Sequence, residues 1–146
     1  MASEFQRSAA AIIDEYLKKS GLQYDKLSEN EWIVTLQGPE GRALTLRLTL
    51  GAWFVDFRGF VIRAPEENVA DVYRFLLRKN LESRVASLCL NEAGDVFIKA
   101  ELPLPCVSDE QLDRYLGLLF LCWEEAYGTV FRLGWPKYTE RDGEHN

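Results

Sequence analysis

The side chains best suited to acid–base and nucleophilic chemistry are scarce in this 146-residue chain. It contains one histidine, His145, which lies in the closing segment 141–146. Histidine has a pKa that suits proton transfer near neutral pH, and it is the commonest metal ligand in proteins. Without a histidine in the part expected to fold, the chain lacks Ser-His-Asp and Cys-His nucleophile arrangements and two-histidine metal sites. We therefore expect no catalytic residue and a protein that is not an enzyme.

Three cysteines, Cys89, Cys106 and Cys122, are the remaining candidates for metal or redox chemistry. Their number is odd, and no two of them have the Cys-x-x-Cys spacing that zinc sites and redox motifs use. Free cysteines are among the most frequently buried residues in proteins. We predict three reduced thiols, no metal site and no bound cofactor.

Acidic pairs and glycine-containing loops also lack the pattern of a site. Adjacent acids at 66–67, 109–110 and 124–125 lie at helical neighbours, which point in different directions and do not face each other. The loop 91–95 lacks the alternating oxygen ligands of an EF-hand, and the loop 38–41 lacks the Lys-Ser/Thr of a phosphate-binding loop. These segments are predicted to be solvated surface and turns.

Composition and charge narrow the function classes further. Apolar residues make up 47% of the chain, including four Trp, six Tyr and eight Phe, which is enough for one domain with a hydrophobic core. The formal net charge of −6 disfavours direct nucleic-acid binding, because such binding depends on neutralising phosphates. The longest apolar run, 116–123, is far shorter than the ~20 residues that span a bilayer, and no apolar signal stretch opens the sequence. We expect a cytoplasmic protein with no membrane contact.

Hydrophobic periodicity predicts three helices and five strands. Capping boxes at Ser3 and Ser108 predict where the first and third helices begin, and Pro65 predicts the start of the second. Glycines at 21 and 128 predict where the first and third helices end. Apolar and β-rich runs predict strands at 31–36, 44–50, 53–62, 85–90 and 96–101.

The predicted order is helix, three strands, helix, two strands, helix. Such an order indicates an α+β fold in which the helices cover one face of a five-stranded antiparallel sheet. No linker interrupts the chain, so we expect a single domain at 3–135 and a flexible acidic tail at 136–146.

Several segments resemble one protein family. They are the helix end Tyr-Arg-Phe-Leu-Leu-Arg-Lys-Asn at 73–80, the hairpin Asn-Glu-Ala-Gly-Asp-Val-Phe-Ile at 91–98, the Leu-Pro pair that follows, and Ser-Asp-Glu-Gln-Leu-Asp-Arg-Tyr-Leu at 108–116. They are similar to the YbjN family of bacterial sensory-transduction regulators, over roughly residues 5–133. The resemblance implies a fold like that of type III secretion chaperones. It also implies a small acidic protein, commonly dimeric, that binds polypeptide segments or regulates other proteins.

Some large apolar residues fall outside the predicted buried faces of the helices. Phe75 lies on the polar side of the second helix, and Leu118 and Leu121 lie on the outer side of the third. Burying one such side chain is worth roughly 1.5–3 kcal/mol, so several together would stabilise an interface. We expect these three residues at the contact of a homodimer.

A second set of apolar residues is expected to bind a partner protein through the first helix and the sheet surface beside it. This set is Phe5, Ile12, Tyr16, Trp32, Trp53 and Phe54. Tryptophans are rigid anchors of the kind found at interfaces, although Trp32 and Trp53 also fit core positions, the commoner place for them. An exposed sheet edge would accept an extended peptide by strand addition, but the sequence does not identify the edge strand.

The leading hypothesis is a non-enzymatic protein-binding module, a chaperone-like adaptor or regulator that binds a segment of a partner protein. Its acidic surface favours a basic partner, such as a nucleic-acid-binding protein. The alternative is a small-molecule-sensing regulatory domain, which requires a sizeable apolar pocket with a few polar groups. An enzyme would require a cleft in which at least two carboxylate, Lys, Tyr or Cys groups meet with shifted pKa values.

Overall fold

Three helices cover one face of a single antiparallel sheet. The computed structural model describes residues 3–139 of the chain. The elements are α1 (Glu4–Ser20), β1 (Gln23–Ser28), β2 (Glu31–Gln37), β3 (Ala43–Leu50), β4 (Phe54–Ile62), α2 (Val69–Glu82), β5 (Ser87–Leu90), β6 (Val96–Pro103) and α3 (Asp109–Gly134). Single-turn 3₁₀ helices follow β2 at Pro39–Gly41 and β6 at Leu104–Cys106. The antiparallel α+β class is confirmed.

The sheet has six strands, and the strand missing from the prediction is β1. Only Tyr24 of its residues is even partly buried, so β1 shows no alternation of apolar and polar positions. It forms because its backbone pairs with β2, with Tyr24 opposite Val34 and Lys26 opposite Trp32. The prediction of five strands is therefore wrong by one.

The two faces of the sheet have different surroundings. The strand order is β1-β2-β3-β4-β6-β5, and α3 lies across β4 and β6 between α1 and α2. Alternate residues are buried under the helices, as Leu44, Leu46 and Leu48 are in β3. The residues between them, such as Arg47, point to the opposite face, which no described element covers. We call this surface the open face.

The helix starts predicted at Ser3 and Ser108 are confirmed, since each side chain accepts a hydrogen bond from a backbone N–H three residues on. α3 continues past its predicted end at Gly128. Ring stacking along one face of the helix accompanies this extension, with Tyr127 and Phe131 centroids 6.1 Å apart and Phe131 and Trp135 centroids 6.0 Å apart.

Pro65 does not begin α2 but packs against the end of α3. A Cβ atom at Gly134 would lie 2.9 Å from the Cβ of Pro65. The helix begins only after Asn68, whose φ of +55° turns the chain into it.

Residues 136–139 form a helical turn after Trp135, within the segment predicted to be a tail. The remainder of that segment, with His145, lies outside the described residues.

Apolar side chains alone fill the core. No polar or charged residue of the described chain is buried, and Trp32, Phe57 and Ile13 are among the largest side chains fully enclosed there. No described helix combines the length and the hydropathy needed to cross a membrane.

Candidate protein-binding surface

An apolar pocket lies where the start of α1 meets the turn between β3 and β4. Its volume is about 390 Å³, and we call it the Phe5–Trp53 pocket. It is lined by Ser3, Phe5, Gln6, Ala52, Trp53, Leu104 and Pro105.

Hydrogen bonds hold the three elements that form this pocket. Gln6 Nε2 donates to the carbonyl of Gly51 at 2.9 Å, which attaches α1 to the turn. The Gly51 N–H donates to the carbonyl of Phe54 at 2.9 Å and closes that turn. The Leu104 N–H donates to the carbonyl of Trp53 at 3.0 Å, which attaches the 3₁₀ helix after β6. Two backbone hydrogen bonds and one from the Gln6 side chain thus fix the pocket wall, and the rings of Phe5 and Trp53 stay exposed.

Phe5 and Trp53 are unusually exposed for large apolar residues. Their exposed fractions are 59% and 77%. Covering each with a partner would contribute roughly 1.5–3 kcal/mol to binding. Clustered aromatic anchors of this kind dominate the binding energy of many protein interfaces.

Of the residues predicted to bind a partner, the structure brings Phe5 and Trp53 together. Phe54 is also exposed, but it lies on the open face, opposite Pro103 of β6. Ile12 is half-buried and packs against the core.

Tyr16 and Trp32 are core residues, which corrects their assignment to the partner surface. Trp32 is fully buried, and its Nε1 donates to Asp14 at 2.9 Å. The Tyr16 hydroxyl donates to the carboxylate of Asp113, and burial together with this bond raises the pKa of Tyr16. Burial opposes ionisation of Asp14, but hydrogen bonds from Lys26 and Trp32 outweigh it and lower the pKa of that carboxyl. These groups fasten α1 to the sheet and to α3.

Side chains from the end of α2 and from Ser83, which follows it, close one edge of the sheet. The Asn80 Nδ2 donates to the carbonyl of Leu88 at 2.9 Å, and its Oδ1 accepts from the Leu88 N–H at 2.7 Å. The Ser83 hydroxyl donates to the carbonyl of Ala86 at 2.5 Å. These bonds occupy backbone groups of β5 and of the residue before it, with which another strand would pair.

The other edge, β1, is open. No side chain among residues 3–139 hydrogen-bonds to its outer backbone. Unpaired backbone groups along an edge strand are a template for an additional strand.

The open edge and the Phe5–Trp53 pocket lie at the same end of the sheet, with β2 and β3 between them. Gly21, with φ +75°, reverses the chain between α1 and β1, and Lys26 Nζ lies 2.9 Å from Asp14 Oδ2. At the usual rise per residue α1 is ~25 Å long and β1 is ~20 Å long. Ser28 therefore returns to nearly the level of Glu4. A peptide that leaves β1 at this end reaches the pocket by crossing the ends of β2 and β3, which is about 10 Å at the usual strand spacing.

Exposed leucines lie on α2 and on the part of α3 beside it. Leu77 and Leu81 lie four residues apart on one helix face and are 71% and 88% exposed. Leu118 and Leu121 of α3 are exposed beside Val85 in a groove next to α2. Phe75, predicted to join them, is half-buried against the core.

The groove beside α2 also brings an amine, a thiol and a carboxylate together. Lys79 pairs with Glu125, and Cys122 lies next to them. Burial raises the pKa of the Cys122 thiol, and the hydrogen bond to Glu125 raises the pKa of Lys79. Both groups stay protonated, so neither is activated as a nucleophile. In the described part of the chain, no group of His, Cys, Asp or Glu could hold a metal ion.

The family model YbjN, described as "Putative bacterial sensory transduction regulator", matches residues 9–127. The chain belongs to the YbjN family. The matched range includes Trp53, the β1 edge and the α2 groove, whereas Phe5 precedes it.

Relatives in this family occur in mycobacteria. An uncharacterised protein of Mycobacterium leprae is 29% identical over 139 residues, which cover 92% of this chain and 76% of that protein. An uncharacterised protein of Mycobacterium tuberculosis is 31% identical over 110 residues, which cover 75% of this chain and 60% of that protein. The chain therefore spans less than two thirds of the length of the second relative.

Two solved structures share the YbjN-family fold seen here. One chain belongs to the heterodimeric ExoU–SpcU complex from the type III secretion system of Pseudomonas aeruginosa, with a TM-score of 0.59 and 21% identity over 85% of this chain and 98% of that one. Another belongs to the HopA1–SchA chaperone–effector complex, with a TM-score of 0.64 and 13% identity over 88% and 99% of the two chains. The expected likeness in fold to type III secretion chaperones is confirmed.

Sequence reasoning missed two parts of this surface. Leu104 and Pro105 belong to the Leu-Pro repeat 102–105, which begins inside β6 and predicts only where the strand ends. In the sequence, Asn80 is indistinguishable from other polar residues near a helix end. Its hydrogen bonds to Leu88 depend on tertiary packing. The repeat was a usable signal for the pocket, whereas no local signal identified Asn80.

Proposed function

We propose that this chain is a non-enzymatic protein-binding module, a chaperone-like adaptor or regulator that holds an extended segment of a partner protein in the bacterial cytoplasm. The observation that carries this proposal is the convergence of two exposed aromatic anchors, Phe5 and Trp53, in one pocket.

The partner segment adds as a strand to the open β1 edge and places an apolar side chain in the Phe5–Trp53 pocket. Backbone hydrogen bonds along β1 supply affinity that tolerates varied sequences, and the pocket supplies preference for an apolar residue. Exposed Leu27, close to the end of β1, extends the apolar contact. Of the two similar structures, one is a chaperone–effector complex and the other is a heterodimeric complex of a type III secretion system, which fits a protein-binding role.

The charge near β1 suits a basic segment. Asp25 in this strand and Glu29 just after it are exposed, and the whole chain carries a net charge of −6. A segment of a nucleic-acid-binding protein has the required composition. Electrostatic attraction would raise its association rate more than its final affinity.

A homodimer formed around α2 would leave this surface free. Leu118 and Leu121 on one side of α2, with Leu77 and Leu81 on its exposed face, provide the apolar area for such a contact. Phe75 contributes only its exposed portion.

Affinity capture from the native host tests the proposal. Wild-type protein is compared with the Phe5→Ser/Trp53→Ser variant and with Tyr138→Ser, a matched loss of an exposed aromatic near the far end of β4. We expect a reproducible partner that the double variant loses and the control retains. Equal recovery by all three proteins, or no reproducible partner, would contradict the proposal.

The sensing alternative has one observation in its favour. A pocket of about 290 Å³ is lined by Ile62, Arg63, Tyr127, Phe131, Trp135 and Tyr138. Arg63 lies 5.2 Å from the centre of the Trp135 ring, and the buried Trp135 Nε1 has no hydrogen-bond acceptor among residues 3–139. A planar acid could stack on the aromatic rings of this pocket and compete with Glu66 for the Arg63 guanidinium. Thermal-shift measurements with aromatic carboxylates test this, and stabilisation that Arg63→Gln removes is the expected result.

A further inference from the structure

The open face carries a continuous row of cations across three neighbouring strands. Arg47 of β3 lies opposite Arg58 of β4, and Arg58 lies opposite Lys99 of β6. Adjacent strands are ~4.8 Å apart, so the row spans about 10 Å. Cations directly opposite each other in a sheet destabilise it, so folding does not account for this row.

Two of the three cations lack an ionic partner. Arg47 Nε donates to Glu31 at 3.0 Å. Among residues 3–139, neither Arg58 nor Lys99 has a carboxylate within ion-pair distance, and Arg58 is exposed. The open face thus has positive charge available at its centre, although the whole chain is acidic.

An aromatic pair lies immediately beside this row. Phe60 is opposite Phe97, with their ring centroids 5.6 Å apart in an edge-to-face arrangement. Phe60 is 51% exposed. Exposed ion pairs contribute little binding energy on their own. A ligand held by the cations would therefore also need to cover the two phenylalanine rings.

We propose that the open face binds an acidic segment of a second protein, which places carboxylates on Arg58 and Lys99 and an apolar side chain on Phe60 and Phe97. This inference goes beyond the proposed function, because the Phe5–Trp53 pocket is built on α1 and the opposite chemistry is required here. The module would then hold two segments of unlike charge on different faces.

A nucleic acid fits the same row less well. Asp56 and Glu101 form the next cross-strand pair along β4 and β6, and Glu31 extends that acidic row. A long polyanion would have to lie over these carboxylates, whereas a short acidic segment contacts the cations alone.

Fluorescence anisotropy tests the proposal with a labelled synthetic peptide in which glutamates flank a phenylalanine. The Arg58→Gln/Lys99→Gln variant is compared with Arg78→Gln/Arg114→Gln, which makes the same charge change on exposed helix positions. We expect the first variant to weaken binding about tenfold, as loss of two charge pairs implies, and the control to leave it nearly unchanged. Binding should also weaken with rising salt.

Two further measurements, amide chemical shifts and melting temperatures, complete the test. Amide shifts on peptide addition should concentrate at β3, β4 and β6, and neither double variant should melt below the wild type, since Arg58→Gln/Lys99→Gln relieves repulsion between facing cations. Equal weakening in both double variants, shifts confined to the helices, or displacement of the peptide by a lower concentration of a single-stranded oligonucleotide would overturn the proposal. None of these results bears on capture through Phe5 and Trp53, so the two proposals fail separately.

Discussion

Asn80 of α2 takes the place of a neighbouring strand along β5, because its side-chain amide satisfies both the N–H and the carbonyl of Leu88. Natural sheets protect their edges against pairing with other chains, and here one side chain does so for β5. No side chain in the described range, 3–139, protects β1 in this way. Because of this asymmetry we expect strand addition at β1 rather than at β5, at the end of the sheet that also carries the Phe5–Trp53 pocket.

Removing the Asn80 amide should expose the β5 edge. In Asn80→Ala both backbone groups of part-buried Leu88 lose their partner, and we expect about 1–2 kcal/mol of destabilisation in urea unfolding. The Leu88 amide should exchange faster with deuterium. Asn80→Asp, which keeps the acceptor and removes the donor, should have an intermediate effect. Unfolding free energies identical to the wild type for both variants would show that the amide does not hold the edge.

Asp14 should make folding stability dependent on pH in the acid range. Its folded-state pKa is lowered from the ordinary 3.8, so its contribution is complete above 3.8 and is lost as the pH falls through the lower folded value. Asp14→Asn should destabilise the protein by about 1 kcal/mol at neutral pH. Chemical unfolding of both proteins from pH 7 downwards should show this difference shrinking below 3.8. A difference that grows on acidification would contradict the assignment.

Gly59 should tolerate no larger residue. A Cβ atom there would lie 2.9 Å from Leu46 Cδ2 and 3.0 Å from the carbonyl oxygen of Thr45. We expect Gly59→Ala to destabilise the protein by about 1–3 kcal/mol through overpacking. Gly117→Ala is the control, since nothing lies within 4 Å of a Cβ on this α3 position. It should stabilise the helix by about 0.5–1 kcal/mol, and similar effects at both sites would refute the packing argument.

Sedimentation velocity should detect a homodimer and locate its contact. Leu118→Ser/Leu121→Ser and Leu77→Ser/Leu81→Ser each remove two exposed leucines beside α2. We expect each pair to weaken dimerisation by at least about tenfold, since each leucine contributes roughly 1.5 kcal/mol or more when covered. Phe5→Ser/Trp53→Ser should leave the dimer intact. A wild-type protein that sediments as a monomer at micromolar concentration would exclude the dimer.

The parts of the fold predicted from sequence are those in which local chemistry and burial agree. Ser3 and Ser108 cap helices with a side chain three residues from its partner, and Leu44 to Leu50 alternate because one face of β3 is buried. β1 escaped prediction because an edge strand beside the helix layer buries almost nothing. β1 forms because it pairs with β2, and the residues of β1 alone give no sign of this pairing.

The candidate site was also predicted only in part. Exposed aromatics were predicted as anchors, and two of them, Phe5 and Trp53, meet because the Gln6 side chain connects α1 to the turn at Gly51. Trp32 was assigned to the same surface, but α1 covers β2 and buries it. The amphipathic pattern of a segment predicts which apolar residues share a face. Only packing decides whether a helix or a partner covers it.

In-cell photocrosslinking tests the central claim most directly. Trp53 is replaced by p-benzoylphenylalanine in one strain and Tyr138 in another, and both proteins are irradiated in the native host. We predict a discrete adduct with one protein partner from position 53, absent from position 138 and lost when Phe5→Ser is added. No adduct at position 53, or the same adducts from both positions, would contradict the account.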